Sequence, residues 1–295
     1  MKCKKILTAL LAAACTMSGC HGDLDIMQDN KLSASNMWID ESDAETATYG
    51  IYLYMRDALK SVHDIYLCWG EFRNGLWGAG TNKTLSGVDQ TQVRTSTMSS
   101  SNAYADWSVM YKTVNQANLI LKHVPEMGIS ESVRNFSLGN AYFSRAWCYF
   151  WIARIWGDAP LALTGYESTA GDLYLPRAPK AEIFARIESD LTEAERYVTD
   201  NSDKAVATPA AVQMLKADYA LWMYRVAGGG SSYLAMAEKA IEALNLSASR
   251  LESDYAQVFS SANKLNKEVI FAVHQANGEA VNGPGYYLGW NSNYV

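Results

Sequence analysis

Apolar positions recur at three- and four-residue intervals through most of the chain, the period of helices that bury one face. Ala44, Ala47, Ile51, Met55, Ala58 and Val62 trace the first such stripe. Ser42 and Glu45 at its head have the S-x-x-E spacing of a capping box, which predicts a helix starting near residue 42. From 63 to 100 the period fades into glycine, asparagine, serine and threonine, so a long loop is expected there, with Trp69 and Trp77 on it. The helical period returns near Asn102 and runs to Pro125. It returns again over 131–156, where the residues from Phe143 to Trp156 are apolar nearly all round and Gly157 and Pro160 stop the run. Further helices are expected over 180–199, 209–226 and 232–246, the second of them opened by Thr208 at the N-cap and Pro209 at N1. Alanines at 211, 217, 220, 237 and 240 permit close helix–helix approach, as in tetratricopeptide hairpins. The β-branched run Glu268–Gln275 reads as an isolated strand. The fold class expected is mainly α: a tetratricopeptide-like helical hairpin scaffold with long loops and a minor β-strand contribution.

The first residues carry a different pattern. Lys2, Lys4 and Lys5 precede a short apolar run, and Ser18-Gly19-Cys20 follows it, the small residues and cysteine of a type II secretory signal. The run is too short to span a bilayer. Residues 1–19 are therefore expected to be a signal peptide, Cys20 the lipidated first mature residue, 20–41 a lipidated tether and 42–295 one helical domain. Acyl chains contribute about 0.8 kcal/mol per buried methylene, so such a protein is anchored to a membrane without crossing it. The last residues end on no cap or closing helix, which suggests a chain lacking its C-terminal portion.

Charge and chemistry narrow the function. A formal net charge of −6 leaves no basic stripe for phosphates, so nucleic acid is excluded as a partner. Once Cys3, Cys15 and Cys20 are set aside, Cys68 and Cys148 remain, too few for a disulfide framework, and both are expected reduced. The chain has no G-x-S-x-G, phosphate loop, H-E-x-x-H or C-x-x-C motif, and His21, His63, His123 and His274 are scattered. No enzyme, metal or cofactor is expected. Arg145 and Asn118, on apolar helix faces, are expected to be structural, each bonded to a buried partner.

What remains is aromatic content in the loops. Trp107, Trp147, Trp151, Trp156 and Trp222 fall on helices and read as core, whereas Trp69, Trp77 and Trp290 do not. Flat rings in glycine-asparagine loops offer platforms to the C–H faces of sugars, and amide or guanidinium groups bond the hydroxyls. Trp77, Arg73 and Asn74, with Tyr286, Tyr287, Trp290 and Asn291, are therefore the candidate ligand-binding residues, and Asn82 is a further hydroxyl partner.

Several stretches resemble the SusD/RagB outer-membrane lipoproteins of Bacteroidota. Trp107 to Tyr111 with Ala117-Asn118 is similar to the family's W-x-x-x-Y…A-N helix. Ala141 to Phe150, running on to Trp156-Gly157-Asp158-Ala159-Pro160-Leu161, is similar to its A-x-F-L-R-A-x-x-Y…Y-G-D-x-P-L segment, with Ser144 in place of leucine and Trp156 in place of tyrosine. Asp190 to Glu195, Thr208 to Ala217 and Asn266 to Phe271 resemble later blocks. The resemblance implies a surface lipoprotein that captures a nutrient, a glycan above all, and delivers it to a SusC-like TonB-dependent transporter, without catalysis or cofactor. Capture of peptides by the same scaffold, or surface glycoside hydrolysis, are the alternatives.

Overall fold

The computed structural model describes residues 37–70, 73, 88–169, 173–200, 202–247 and 250–275. Its elements are α1 (Glu41–Gly70), α2 (Val88–Thr95), α3 (Ser108–His123), α4 (Glu131–Trp156), β1 (Ala159–Pro160), β2 (Arg177–Ala178), α5 (Lys180–Tyr197), α6 (Pro209–Arg225), α7 (Ser231–Ala243) and a short α8 (Tyr255–Val258). The expected mainly helical scaffold of hairpins is what forms, with one antiparallel two-residue β pair, Ala159 opposite Ala178.

α4 sits at the centre, packed against α1 and α3 and, most extensively, against α5. Its all-round apolar composition is the cause: Phe143, Ala146, Cys148, Tyr149, Phe150 and Ile152 are all buried, in different directions around the axis. The end of α4 needs a left-handed residue, and Gly157 supplies it at φ 72°. Gly139 has another role, since a Cβ there would lie 2.7 Å from Val198 Cγ2 and 3.1 Å from its backbone nitrogen. The missing side chain lets the end of α5 approach the α4 backbone. α6 and α7 form a second hairpin closed through buried Ala217, Ala220, Ala237 and Ala240. Thr208 caps α6 as expected, its hydroxyl accepting the Ala211 N–H at 3.1 Å.

One buried polar network ties the centre together. Arg145 on α4 donates from Nε and Nη2 to the two oxygens of Asp190 on α5, at 2.8 and 2.7 Å, and from Nη1 to Asn118 Oδ1 on α3 at 2.8 Å. Asn118 turns its amide nitrogen to the carbonyls of Ala162 and Thr164, so every strong group is answered. Both residues hold the structural places expected of them.

Four expectations are corrected. α1 does not begin on a Ser42–Glu45 box: Asp40 and Asp43 cap it reciprocally, each carboxylate accepting the other's backbone N–H at 3.2 Å. The loop expected over 63–100 is helical to Gly70 and again over Val88–Thr95, because Ile65, Cys68 and Val93 find a small core with Tyr104. α3 begins at Ser108 rather than near Asn102, whose side chain instead caps a 3-10 turn over Ala103–Ala105. The run 268–275 forms no strand among the described residues; Ala272 N–H donates to Lys204 O at 2.9 Å, and Phe271 packs on Tyr52 and Phe143. β-branched composition alone makes no ladder without a partner. Cys68 and Cys148 are buried and not joined in a disulfide, and burial pushes the Cys148 thiol up, away from reactivity. No helix among the described residues is long and apolar enough to cross a membrane.

Candidate functional site

Beyond Gly157 the chain is laid back over α3 and held there by side chains reaching up from the helices. Tyr111 Oη donates to Pro160 O at 2.6 Å and Tyr149 Oη to Ala162 O at 2.7 Å. Asn115 clasps the backbone of Tyr166, accepting its N–H at 2.7 Å and donating to its carbonyl at 3.0 Å. These bonds build a cleft of about 470 Å³, walled by Trp107, Tyr111 and Asn115 on one side and by Tyr166, Leu173 and Tyr174 on the other. Tyr174 is 93% exposed, an unusual placing for so large a ring.

The floor of the cleft is rigid because it continues an aromatic chain through the bundle. Trp151 meets Trp69 at 5.9 Å between centroids, Trp69 meets Trp156 edge-on at 5.2 Å, and Trp156 meets Trp107 at 6.1 Å. Trp107 then meets Tyr111, also at 6.1 Å. The inner indoles spend their N–H groups on backbone carbonyls, Trp69 on Tyr104 O at 2.9 Å and Trp156 on Ala105 O at 3.1 Å. Edge-to-face contacts of this kind fix ring orientation. The Arg177 guanidinium lies 4.8 Å from the centre of the Trp107 ring.

Apart from the Arg177 guanidinium against Trp107, the cleft wall is uncharged. None of its described lining residues is an Asp, Glu, Lys or Arg. Burial pushes the Tyr111 phenol far up, so it is a neutral hydroxyl at physiological pH. Rings, amides and hydroxyls can stack and hydrogen-bond; they do not make the carboxylate pair that glycoside hydrolysis requires. A second cleft of about 380 Å³, between the N-terminal ends of α1 and α4 and the α5–α6 connection, has rings of its own in Tyr49, Phe136 and Tyr197, but the carboxylates of Glu45 and Asp200 line it as well. No group of three or more His, Cys, Asp or Glu among the described residues is arranged to hold a metal.

Of the residues singled out from sequence, Arg73 is exposed just past the end of α1. Trp77, Asn74, Asn82, Tyr286, Tyr287, Trp290, Asn291 and Cys20 lie outside the described residues. Trp69 is corrected: it belongs to α1 and is packed, not a loop platform. Trp107, read as core, packs on the core with one part and walls the cleft with another. Tyr174 is not among the residues expected from sequence, although Gly171 and Pro176 on either side of it mark a loop.

Comparison with known proteins gives a consistent picture. Residues 79–222 match a family model described as starch-binding, associating with the outer membrane. A SusD-like protein, P38, of Formosa agariphila is 26% identical over 190 residues, a stretch that is 64% of this chain and 36% of that protein. Bacteroides fragilis NanU superposes with a TM-score of 0.70 at 28% identity, over 85% of this chain and 51% of NanU. A surface glycan-binding protein of Bacteroides thetaiotaomicron, solved with laminarihexaose, shares the fold with a TM-score of 0.65 at 17% identity, over 79% of this chain and 49% of its own. The chain thus spans about half the length of these solved relatives, and the matched stretch about a third of P38.

Proposed function

We propose that the chain, whose residues 79–222 match a family described as starch-binding and associating with the outer membrane, is a SusD/RagB-type cell-surface lipoprotein that captures a glycan and passes it to a SusC-like TonB-dependent transporter. The observation that carries the reading is the uncharged aromatic cleft of Trp107, Tyr111 and Tyr174. A sugar ring has apolar C–H faces and a rim of hydroxyls. Rigid rings meet the faces, and the Tyr166 phenol and the Ser108 hydroxyl stand within the same cleft to meet the rim. Trp77, Arg73, Asn74, Tyr286, Tyr287, Trp290 and Asn291 are further ligand contacts in the proposal, and ligand is bound without being cleaved. Lipid on Cys20 holds the domain at the outer membrane, where the family is described as acting. Calorimetric titration of the purified chain with laminarihexaose and with maltoheptaose tests it. Saturable binding of either supports the reading, and binding of unrelated peptides in their place overturns the choice of glycan.

A further inference from the structure

Where the chain enters the bundle, ahead of α1, Trp38 adopts φ 73°, a left-handed conformation that a bulky residue takes only when its surroundings compensate. The compensation is visible. The indole stacks on the imidazole of His123, the last residue of α3, with centroids 4.9 Å apart and planes 15° from parallel. His123 Nε2 in turn lies 2.6 Å from Glu167 Oε1, while the other Glu167 oxygen accepts from Lys122 Nζ at 2.7 Å. Glu167 follows Tyr166, the cleft residue that Asn115 clasps. One set of contacts therefore joins the entry of the chain, the end of α3 and the segment that walls the cleft.

We propose that Trp38, His123 and Glu167 form a pH-sensitive latch that holds Trp38, ahead of α1, against the end of α3. When His123 is protonated, its contact with Glu167 becomes an ion pair and its stack on Trp38 a cation–π contact; the C-terminal end of α3 favours the same charge. When it loses the proton, both attractions weaken and only a neutral stack restrains Trp38. The charged groups against the imidazole are Glu167, on the segment laid over α3, and Lys122, its neighbour on α3, whose ammonium Glu167 holds. The element carrying Trp38 brings Asp40 and Asp43, whose carboxylates are turned into the α1 cap. Lys122 foremost, and His123 after it, hold the Glu167 carboxyl below its ordinary range, so the anionic partner persists through the pH interval in which histidines titrate. The latch does not depend on what the cleft binds.

The test is a nuclear magnetic resonance titration of the whole chain between about pH 5 and pH 9, following the His123 ring protons and the Trp38 indole N–H. The two signals are assigned by their loss in His123→Gln and Trp38→Phe. The expected result is a Trp38 signal that moves in step with the His123 ring protons, stays still in His123→Gln, and moves by a smaller amount in Glu167→Gln, where the carboxylate partner is gone. Melting temperatures of the variants at pH 8 establish that each is folded. A Trp38 signal indifferent to pH in the parent, an unchanged pH response in His123→Gln, or a parent-sized response in Glu167→Gln overturns the proposal.

Discussion

Arg145 and Asp190 face each other with both guanidinium edges engaged, Nε and Nη2 on the two carboxylate oxygens at 2.8 and 2.7 Å, and both side chains are buried. Burial pushes the Asp190 carboxyl up, and Arg145 opposes that shift. Removing one partner strands the other's charge in a buried site. Arg145→Ala is expected to lower stability by about 3–5 kcal/mol, read as a fall in denaturation midpoint at unchanged slope. Arg145→Lys recovers only part of it, because an ammonium cannot reproduce the fork.

The arginine was legible in the sequence as a buried charge needing a partner; Asp190, 45 residues away, was not, because ion-pair partners are fixed by tertiary approach. The same division runs through the fold. The extent of α4 was readable, since Gly157 and Pro160 stop the dense apolar run that begins at Phe143. The end of α1 was not: its last turns are held by the small core of Ile65, Cys68, Val93 and Tyr104, assembled from three separate segments. In the site, loop signals in the sequence did not locate exposed rings: Trp69, expected on a loop, is packed on a helix. Trp107 shows the converse, since a ring at a helix start can pack with one edge and face solvent with the other.

Gly139 tests how closely α4 and α5 are fitted. Alanine there gains about 1 kcal/mol of helix propensity but sets a methyl 2.7 Å from Val198 Cγ2 and 3.2 Å from the Tyr197 carbonyl carbon. Overpacking against backbone costs about 1–3 kcal/mol. Gly139→Ala is expected to lower the melting temperature; a rise would mean the approach is looser than the contacts require.

Acid sensitivity should come partly from Glu41, which accepts the Ser130 N–H at 2.8 Å across the α1–α4 junction. Its side-chain hydrogen bond with Ser130 holds the carboxyl below the ordinary 4.5. A lowered carboxylate contributes stability above its unfolded value and loses it as pH falls through the folded one. Glu41→Gln should therefore melt below the parent at neutral pH, with the difference closing between about pH 5 and pH 3. A gap independent of pH would show that the charge is not what matters.

The lipid anchor is tested by location. With Cys20→Ala the protein should leave the outer-membrane fraction, because the acyl chains that give the attachment its strength are lost. Retention in that fraction would require another means of attachment.

Glycan capture in the aromatic cleft is the central claim, and Tyr174 tests it most directly, because its exposed ring can be removed with little loss of packing. The measurement is calorimetric titration with laminarihexaose and maltoheptaose of the parent and of Tyr174→Ala, Trp77→Ala and Trp290→Ala, each checked for an unchanged melting temperature. A stacking ring at the heart of a small site carries more than about 1 kcal/mol, so Tyr174→Ala should bind roughly tenfold more weakly. Parent-like affinity in Tyr174→Ala, beside a loss in Trp77→Ala or Trp290→Ala, would move the site out of the cleft to those positions. Parent-like affinity in all three would contradict aromatic capture altogether.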